Sequence, residues 1–210
     1  MRRLGWLATG VLLLAAPSAF ADEDTSKGEV SAGWRYYHAT INSSVALSGP
    51  NTTNDFSNGW YIDVSGNVSP KFAVVGEVGG LREHGGTTSA SGAITTSESW
   101  NITLYTFMGG IRVRAPQHSR IVPFGQVLVG GQRNESDYTR TLTFNIPNFP
   151  IQPSTSTREG QASAAALALD GGVTVSVGFV GVRAQAGYVR MFGTTDADAF
   201  RFSLGGVYRF

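Results

Sequence analysis

The sequence predicts an all-β fold: an eight-stranded antiparallel up-and-down transmembrane β-barrel. Three observations predict it. Residues 200–210 alternate strictly, with Phe202, Leu204, Gly206, Tyr208 and Phe210 on one face and Arg201, Ser203, Gly205, Val207 and Arg209 on the other. Successive side chains of a strand point to opposite faces, so this is a ribbon that is apolar on one side. Similar ribbons recur along the chain, and the connections between them alternate long and short. An up-and-down membrane barrel sorts its connections in this way, with short turns at one rim and long excursions at the other. Finally, 27 Gly, 12 Phe and 7 Tyr in 210 residues favour strand over helix. In water a terminal ribbon of this kind would be an edge open to aggregation, whereas facing lipid and closing a ring removes the edge.

Residues 1–21 read as a secretory signal peptide. Arg2 and Arg3 form a basic start, residues 6–16 an apolar run, and Ala19-Phe20-Ala21 a small-x-small cleavage site. The apolar run is too short for a spanning helix. The predicted organisation is therefore a leader at 1–21, a short periplasmic segment at 22–28 and an outer-membrane barrel at 29–210. Loss of the leader changes 16 basic and 15 acidic residues to 14 and 15, so the formal charge falls from +1 to −1. That balance predicts no nucleic-acid partner. The absence of cysteine excludes both a disulfide framework and a lipid-anchored cysteine.

The first ribbon, residues 29–41, sets Val30, Ala32, Trp34 and Tyr36 against Ser31, Gly33, Arg35 and Tyr37. The second, 59–68, alternates Trp60, Ile62, Val64, Gly66 and Val68 against Tyr61, Asp63, Ser65 and Asn67. In the third, 72–82, Phe72, Val74 and Val78 oppose a face with Glu77, and in the fourth, 100–115, Tyr105, Phe107, Ile111 and Val113 oppose Arg112 and Arg114. The fifth, 120–133, is apolar on both sides; the phasing adopted sends Val127 and Val129 outward and Gln126 inward. The sixth, 161–175, sets Ala165, Leu167, Leu169 and Val173 against Ala166, Ala168, Asp170 and Thr174. The seventh, 179–192, sends Val182, Ala184, Ala186 and Tyr188 outward and Arg183 and Gln185 inward. The eighth is the terminal ribbon. The connections are 42–58, 69–71, 83–99, 116–119, 134–160, 177–178 and 193–199, long and short in turn.

The polar faces make sense inside a narrow barrel, whose interior is just wide enough for side chains to fill. The predicted interior charges are Arg35, Asp63, Glu77, Arg112, Asp170, Arg183 and Arg201, with Arg114 and Arg209 nearer the ends: six arginines against three carboxylates. Counted from the short-turn end, Arg35, Glu77, Asp170 and Arg183 reach similar heights. A buried ion-pair network among them is expected, because an unpaired charge there would be costly. Such a network would plug the lumen. Aromatic residues fall where lipid–water interfaces are expected: Phe72, Phe179, Tyr208 and Phe210 at one end, Trp34, Tyr36, Trp60 and Tyr188 towards the other.

No catalytic, cofactor or metal site is predicted. His118 falls in a short turn, His84 at the base of a long connection and His38 near the top of the first ribbon, with nothing to fix their convergence on a nucleophile. Asp196 and Asp198 lack the spacing of a calcium loop, and the paired glycines form no phosphate-binding fingerprint. The long connections are the expected contact surface for an extracellular ligand. The longest, 134–160, carries the apolar run Phe144-Asn-Ile-Pro-Asn-Phe-Pro-Ile151. A loop folded over the barrel mouth is the equally weighted alternative.

Residues 164–175 (Ala-Ala-Ala-Leu-Ala-Leu-Asp-Gly-Gly-Val-Thr-Val), 182–188 (Val-Arg-Ala-Gln-Ala-Gly-Tyr) and 202–210 (Phe-Ser-Leu-Gly-Gly-Val-Tyr-Arg-Phe) resemble the outer-membrane β-barrel domain family, relatives of OmpA and OmpX. Gly59-Trp60 with Asn67, Phe107-Met-Gly-Gly-Ile-Arg112 and Pro123-Phe-Gly-Gln-Val-Leu128 look like its middle strands. The resemblance covers the chain from about Glu29 onward. It implies the cell outer membrane as location, outer-membrane lipid as surroundings and the outer-membrane assembly machinery as a partner that reads Tyr208 and Phe210. It implies no shared enzymatic activity. The family's seventh strand often carries an Asp where this chain has Gly187. The expected role is structural or surface-interaction, with a small passive channel as the alternative and a lipid A-modifying enzyme behind it.

Overall fold

The computed structural model describes residues 27–42, 52–115, 120–146, 149–150, 152–193 and 196–210. The predicted leader, nearly all of segment 22–28 and His118 lie outside these residues. The strands are β1 (Gly28–Asn42), β2 (Thr52–Asn67), β3 (Phe72–Ser91), β4 (Ile94–Arg114), β5 (Ile121–Ile146), β6 (Ser154–Val177), β7 (Val180–Phe192) and β8 (Asp196–Arg209). A two-residue piece, Phe149–Pro150, pairs with the tip of β5. Each strand is antiparallel to the next, and β8 returns to β1, so the eight close into a ring. Phe210 seals the seam: its N–H donates to the Gly28 carbonyl at 3.1 Å and its own carbonyl accepts from Gly28 N–H at 3.0 Å.

The ring is inverted relative to a water-soluble protein. Leu169, Phe200, Val129 and Ile111 are exposed on the outside, while Arg35, Asp63, Arg183 and Ser203 are shielded within. The period-two phasing of every ribbon is reproduced, including β5, where Gln126 is buried and Val127 and Val129 are exposed. The two hairpins that need a left-handed residue have glycine there: Gly92 (φ 59°) between β3 and β4, and Gly178 (φ 63°) between β6 and β7.

The long connections differ from the expectation. Most of residues 83–99 and of 134–160 are strand, not loop. β3, β4, β5 and β6 run 20, 21, 26 and 24 residues, against 15, 16, 13 and 14 for β1, β2, β7 and β8. The register stays unbroken from Phe72↔Val113 to Ser91↔Ile94 and from Ile121↔Val175 to Leu142↔Ser154. Four strands thus rise as a sheet on one side of the mouth, about 30 Å of strand beyond the short hairpins.

Its outward face is held by cross-strand hydroxyl pairs, Thr139 with Thr157 at 3.4 Å, Thr141 with Thr155 at 3.3 Å and Thr88 with Ser97 at 3.3 Å. Each such pair contributes about 0.2–1 kcal/mol. By parity the face continuous with the lumen carries Ile94, Trp100, Ile102, Leu104, Tyr138, Leu142 and Phe144, together with the Glu98–Arg140 ion pair. Serine and threonine read as loop by composition, yet β-branched residues alternating with apolar ones suit a strand once neighbours pair with them. That is why the composition misled.

Candidate functional site

The barrel interior concentrates the chain's chemistry. Every strand except β5 delivers a charged side chain to it, and β5 contributes Gln126. The side chains form two linked groups, and their division differs from the single mid-barrel cluster expected. In the group nearer the long-hairpin end, Arg35 donates through both terminal nitrogens to Glu77, at 2.8 and 2.7 Å, and through Nε to Ser203 Oγ at 2.8 Å. Arg201 bridges two carboxylates: Nη1 lies 2.8 Å from Glu77 Oε1, while Nε and Nη2 contact Asp170 at 2.7 and 2.5 Å. Forked guanidinium–carboxylate contacts of this kind are among the stronger charge-assisted hydrogen bonds.

The second group surrounds Glu29 near the short-turn end. Arg183 donates to both oxygens of Asp63 at 3.0 Å and to Glu29 Oε2 at 2.6 Å. Glu29 also accepts from Arg114 at 3.1 Å and Arg209 at 3.0 Å. Arg112 lies 3.3 Å from Asp63 and 3.6 Å from Glu29, and its guanidinium covers the Phe124 ring at 4.9 Å. Gln126 joins the groups: its Oε1 accepts from Arg112 Nε at 2.8 Å, and its Nε2 donates to Asp170 at 2.9 Å. The network therefore runs without a break from Arg35 to Arg209.

Two expectations need correcting. Arg183 does not meet Glu77 or Asp170; it belongs to the Asp63–Glu29 group. Residues counted up each strand do not give height in a ring whose strands are tilted and staggered. Glu29 is the fourth interior carboxylate and the sequence reading left it out, although it shares parity with Ser31 and Arg35. It is 2% exposed and touches four arginines. The interior balance is six arginines to four carboxylates, and the surplus lies at the Arg112–Arg114–Arg209 end. There Arg112 Nη1 and Nη2 and Arg114 Nε and Nη2 have no hydrogen-bond partner among the described residues.

Gly187 has a steric role in this site. A Cβ at this position would collide with the Asp170 carboxylate. The space an inward aspartate would need on β7 is already filled by Asp170 from β6, which carries the contact to Arg201 instead.

On the outer surface beyond the Trp34–Tyr36 belt, Asp55 Oδ1 accepts from Tyr36 Oη at 2.6 Å and lies 2.5 Å from His38 Nδ1. These hydrogen bonds, that from Tyr36 foremost, hold the Asp55 carboxyl below its ordinary range. On the rising sheet, a hydrogen bond to Glu98 raises the Tyr138 hydroxyl's pKa. His84 stands opposite Asn101 on the sheet's outward face. Asp198 accepts the Tyr188 hydroxyl at 2.5 Å. No group of three or more His, Cys, Asp or Glu suited to a metal ion occurs among the described residues.

No protein-family model matches the sequence, and no curated protein does. Solved structures do resemble the fold. Neisserial surface protein A superposes with a TM-score of 0.52 at 13% identity, covering 88% of this chain and 98% of the other. Ail, the attachment invasion locus protein of Yersinia pestis, in complex with the heparin analogue sucrose octasulfate, gives 0.50 at 16% identity, over 88% and 99%. At these identities the likeness is one of fold. That fold, eight antiparallel strands closed into a ring, is the one the resemblance implied.

Proposed function

From a chain with the fold of small outer-membrane barrels, we propose a closed barrel that anchors a rigid four-stranded sheet at the cell surface, with a structural or surface-interaction role. The observation that carries this reading is the unbroken ion-pair network. An interior occupied by Arg35, Glu77, Arg201, Asp170, Arg183, Asp63 and Glu29 supports a lumen without a continuous wet path, since breaking the network to admit ions would strand buried charge. The apolar exterior supports insertion in outer-membrane lipid. The paired sheet of β3–β6 supports display of a fixed surface to an extracellular ligand, since residues on strands are held more precisely than residues on loops.

Export through a leader at 1–21 and recognition of Tyr208 and Phe210 by the assembly machinery belong to the same proposal. So does the absence of catalysis: His38 and Asp55 serve a rim hydrogen bond in this reading. Planar-bilayer recordings of the purified protein test the closed lumen, and steady single-channel steps would refute it. The small-channel reading keeps one observation in its favour, the surplus guanidinium groups of Arg112 and Arg114 at the short-turn end. In that case the recordings would show anion-selective conductance.

A further inference from the structure

Above the Arg35–Glu77–Arg201–Asp170 group the lumen changes character. Tyr37, Met108, Leu128, Ala168 and Val189 form a buried apolar layer. Over it opens a cavity of 320 Å³ walled by Phe56, Leu81, Ile102, Leu104 and Met191. That volume lies in the range of small-molecule sites. The wall continues upward without a break in parity through Trp100 and Tyr138, and the face turns mixed where Glu98 and Arg140 pair at 3.5 Å. The network below explains a closed barrel but assigns nothing to this cup.

Its polar features are specific. Gln132 and Asn134, two residues apart on the lumen face of β5, both line the cavity. Gln132 Oε1 and Asn134 Oδ1 are shielded from solvent and have no hydrogen-bond partner among the described residues. A buried acceptor left unsatisfied is costly, and a half-turn of each side-chain amide would present its oxygen to a donor bound in the cavity. None of the lining side chains among the described residues is charged, which disfavours a carboxylate or ammonium head.

We propose that the cup binds a small single-chain amphiphile, an alkyl chain ending in an uncharged O–H or N–H donor. The chain occupies the wall of Phe56, Leu81, Ile102, Leu104 and Met191, and the head donates to Gln132 and Asn134. This is independent of whether the lumen conducts, since the cup lies beyond the ion-pair network.

The chain contains three methionines. Met191 lines the cup, Met108 lies beneath it with Sδ 3.9 Å from Arg201, and Met1 falls in the predicted leader. Protein without the leader, carrying ¹³C-methyl methionine in lipid nanodiscs, would be titrated with n-alkanols from butanol to decanol. The expected result is a saturable shift of the Met191 methyl that exceeds any shift of Met108. Affinity should rise by about fourfold per added methylene until the cavity is full. The matching alkyl methyl ethers, which lack a donor, should bind about tenfold more weakly.

Ala162→Trp, which fills the cup from β6, should abolish the shift while heat-modifiable gel migration shows an intact barrel. Gln132→Leu/Asn134→Leu should keep the chain-length dependence and lose the preference for alcohols over ethers. A shift that grows linearly without saturating, equal shifts at both methionines, or binding that survives Ala162→Trp would overturn the proposal. If a segment of this chain fills the cup instead, no alkanol of any length would saturate the Met191 signal, and the proposal would fail on that result too.

Discussion

Replacing Glu77 by alanine tests the interior network most directly. Glu77 is 2% exposed and is the carboxylate into which Arg35 forks, at 2.8 and 2.7 Å. Arg201 keeps Asp170 when Glu77 is lost, so the stranded charge is Arg35, whose other contacts are Ser203 Oγ, the Tyr37 hydroxyl at 3.5 Å and the Tyr61 ring face at 4.6 Å. Removing one partner of a buried pair costs about 3–5 kcal/mol. Arg35 retains neutral contacts, which argues for the lower half of that range. At an m-value of about 2 kcal/mol/M, a loss of about 3–4 kcal/mol lowers the urea midpoint by roughly 1.5–2 M. The assay is equilibrium unfolding in lipid vesicles, followed by tryptophan fluorescence and by heat-modifiable migration. The double replacement Arg35→Met/Glu77→Leu is the decisive comparison. It removes both charges, so most of the lost stability should return, because apolar residues of similar volume often replace a buried ion pair at little cost. A Glu77→Ala midpoint within 0.3 M of the parent, or a double variant no better than the single, would refute the reasoning.

Four further outcomes are expected. Gly187→Ala should destabilise the barrel by about 1–3 kcal/mol by overpacking, since the new methyl meets an Asp170 carboxylate held by Arg201 and Gln126; the same unfolding assay reads it. Leu169→Arg, at an outward position that is 62% exposed, should cost about 2–4 kcal/mol if it faces the bilayer midplane. Thr139→Arg on the outward face of the rising sheet should stay within about 0.5 kcal/mol, and equal effects at the two sites would count against a lipid-facing belt. Deleting Phe210 removes the paired hydrogen bonds to Gly28 and should lower the amount of inserted protein in cells more than it lowers the stability of refolded protein. Abundant, correctly inserted protein after that deletion would count against an assembly signal at the terminus.

The faces of the strands were legible in the sequence, and their lengths were not. Trp60, Ile62 and Val64 announce an outward face because alternation is local and needs no knowledge of neighbours. Residues 83–99 and 134–160 carry the same alternation in weaker form. Thr139, Thr141 and Thr143 alternate with Tyr138, Arg140, Leu142 and Phe144, a pattern that the serine- and threonine-rich composition obscured. Their strand character depends on cross-strand partners 18 and 38 residues away, Thr139 with Thr157 and Trp100 with Tyr138. Glu29 could have been found by extending the parity of Ser31 and Arg35 one step back. The cup could not, because Phe56, Leu81, Leu104 and Met191 come from four different strands.

The sequence by itself determined which side of each ribbon is apolar, and therefore that the chain closes into a ring with charge inside and hydrocarbon outside. That follows from a two-residue repeat fixed by backbone geometry alone. Only the tertiary structure decided which charges meet. Arg183 reaches Glu29 across 154 residues and Arg201 reaches Glu77 across 124. The pairing depends on the stagger at which the strands close, and stagger is a property of the whole ring. The same closure raised four strands above the mouth and left an apolar cup over a salt-bridged floor.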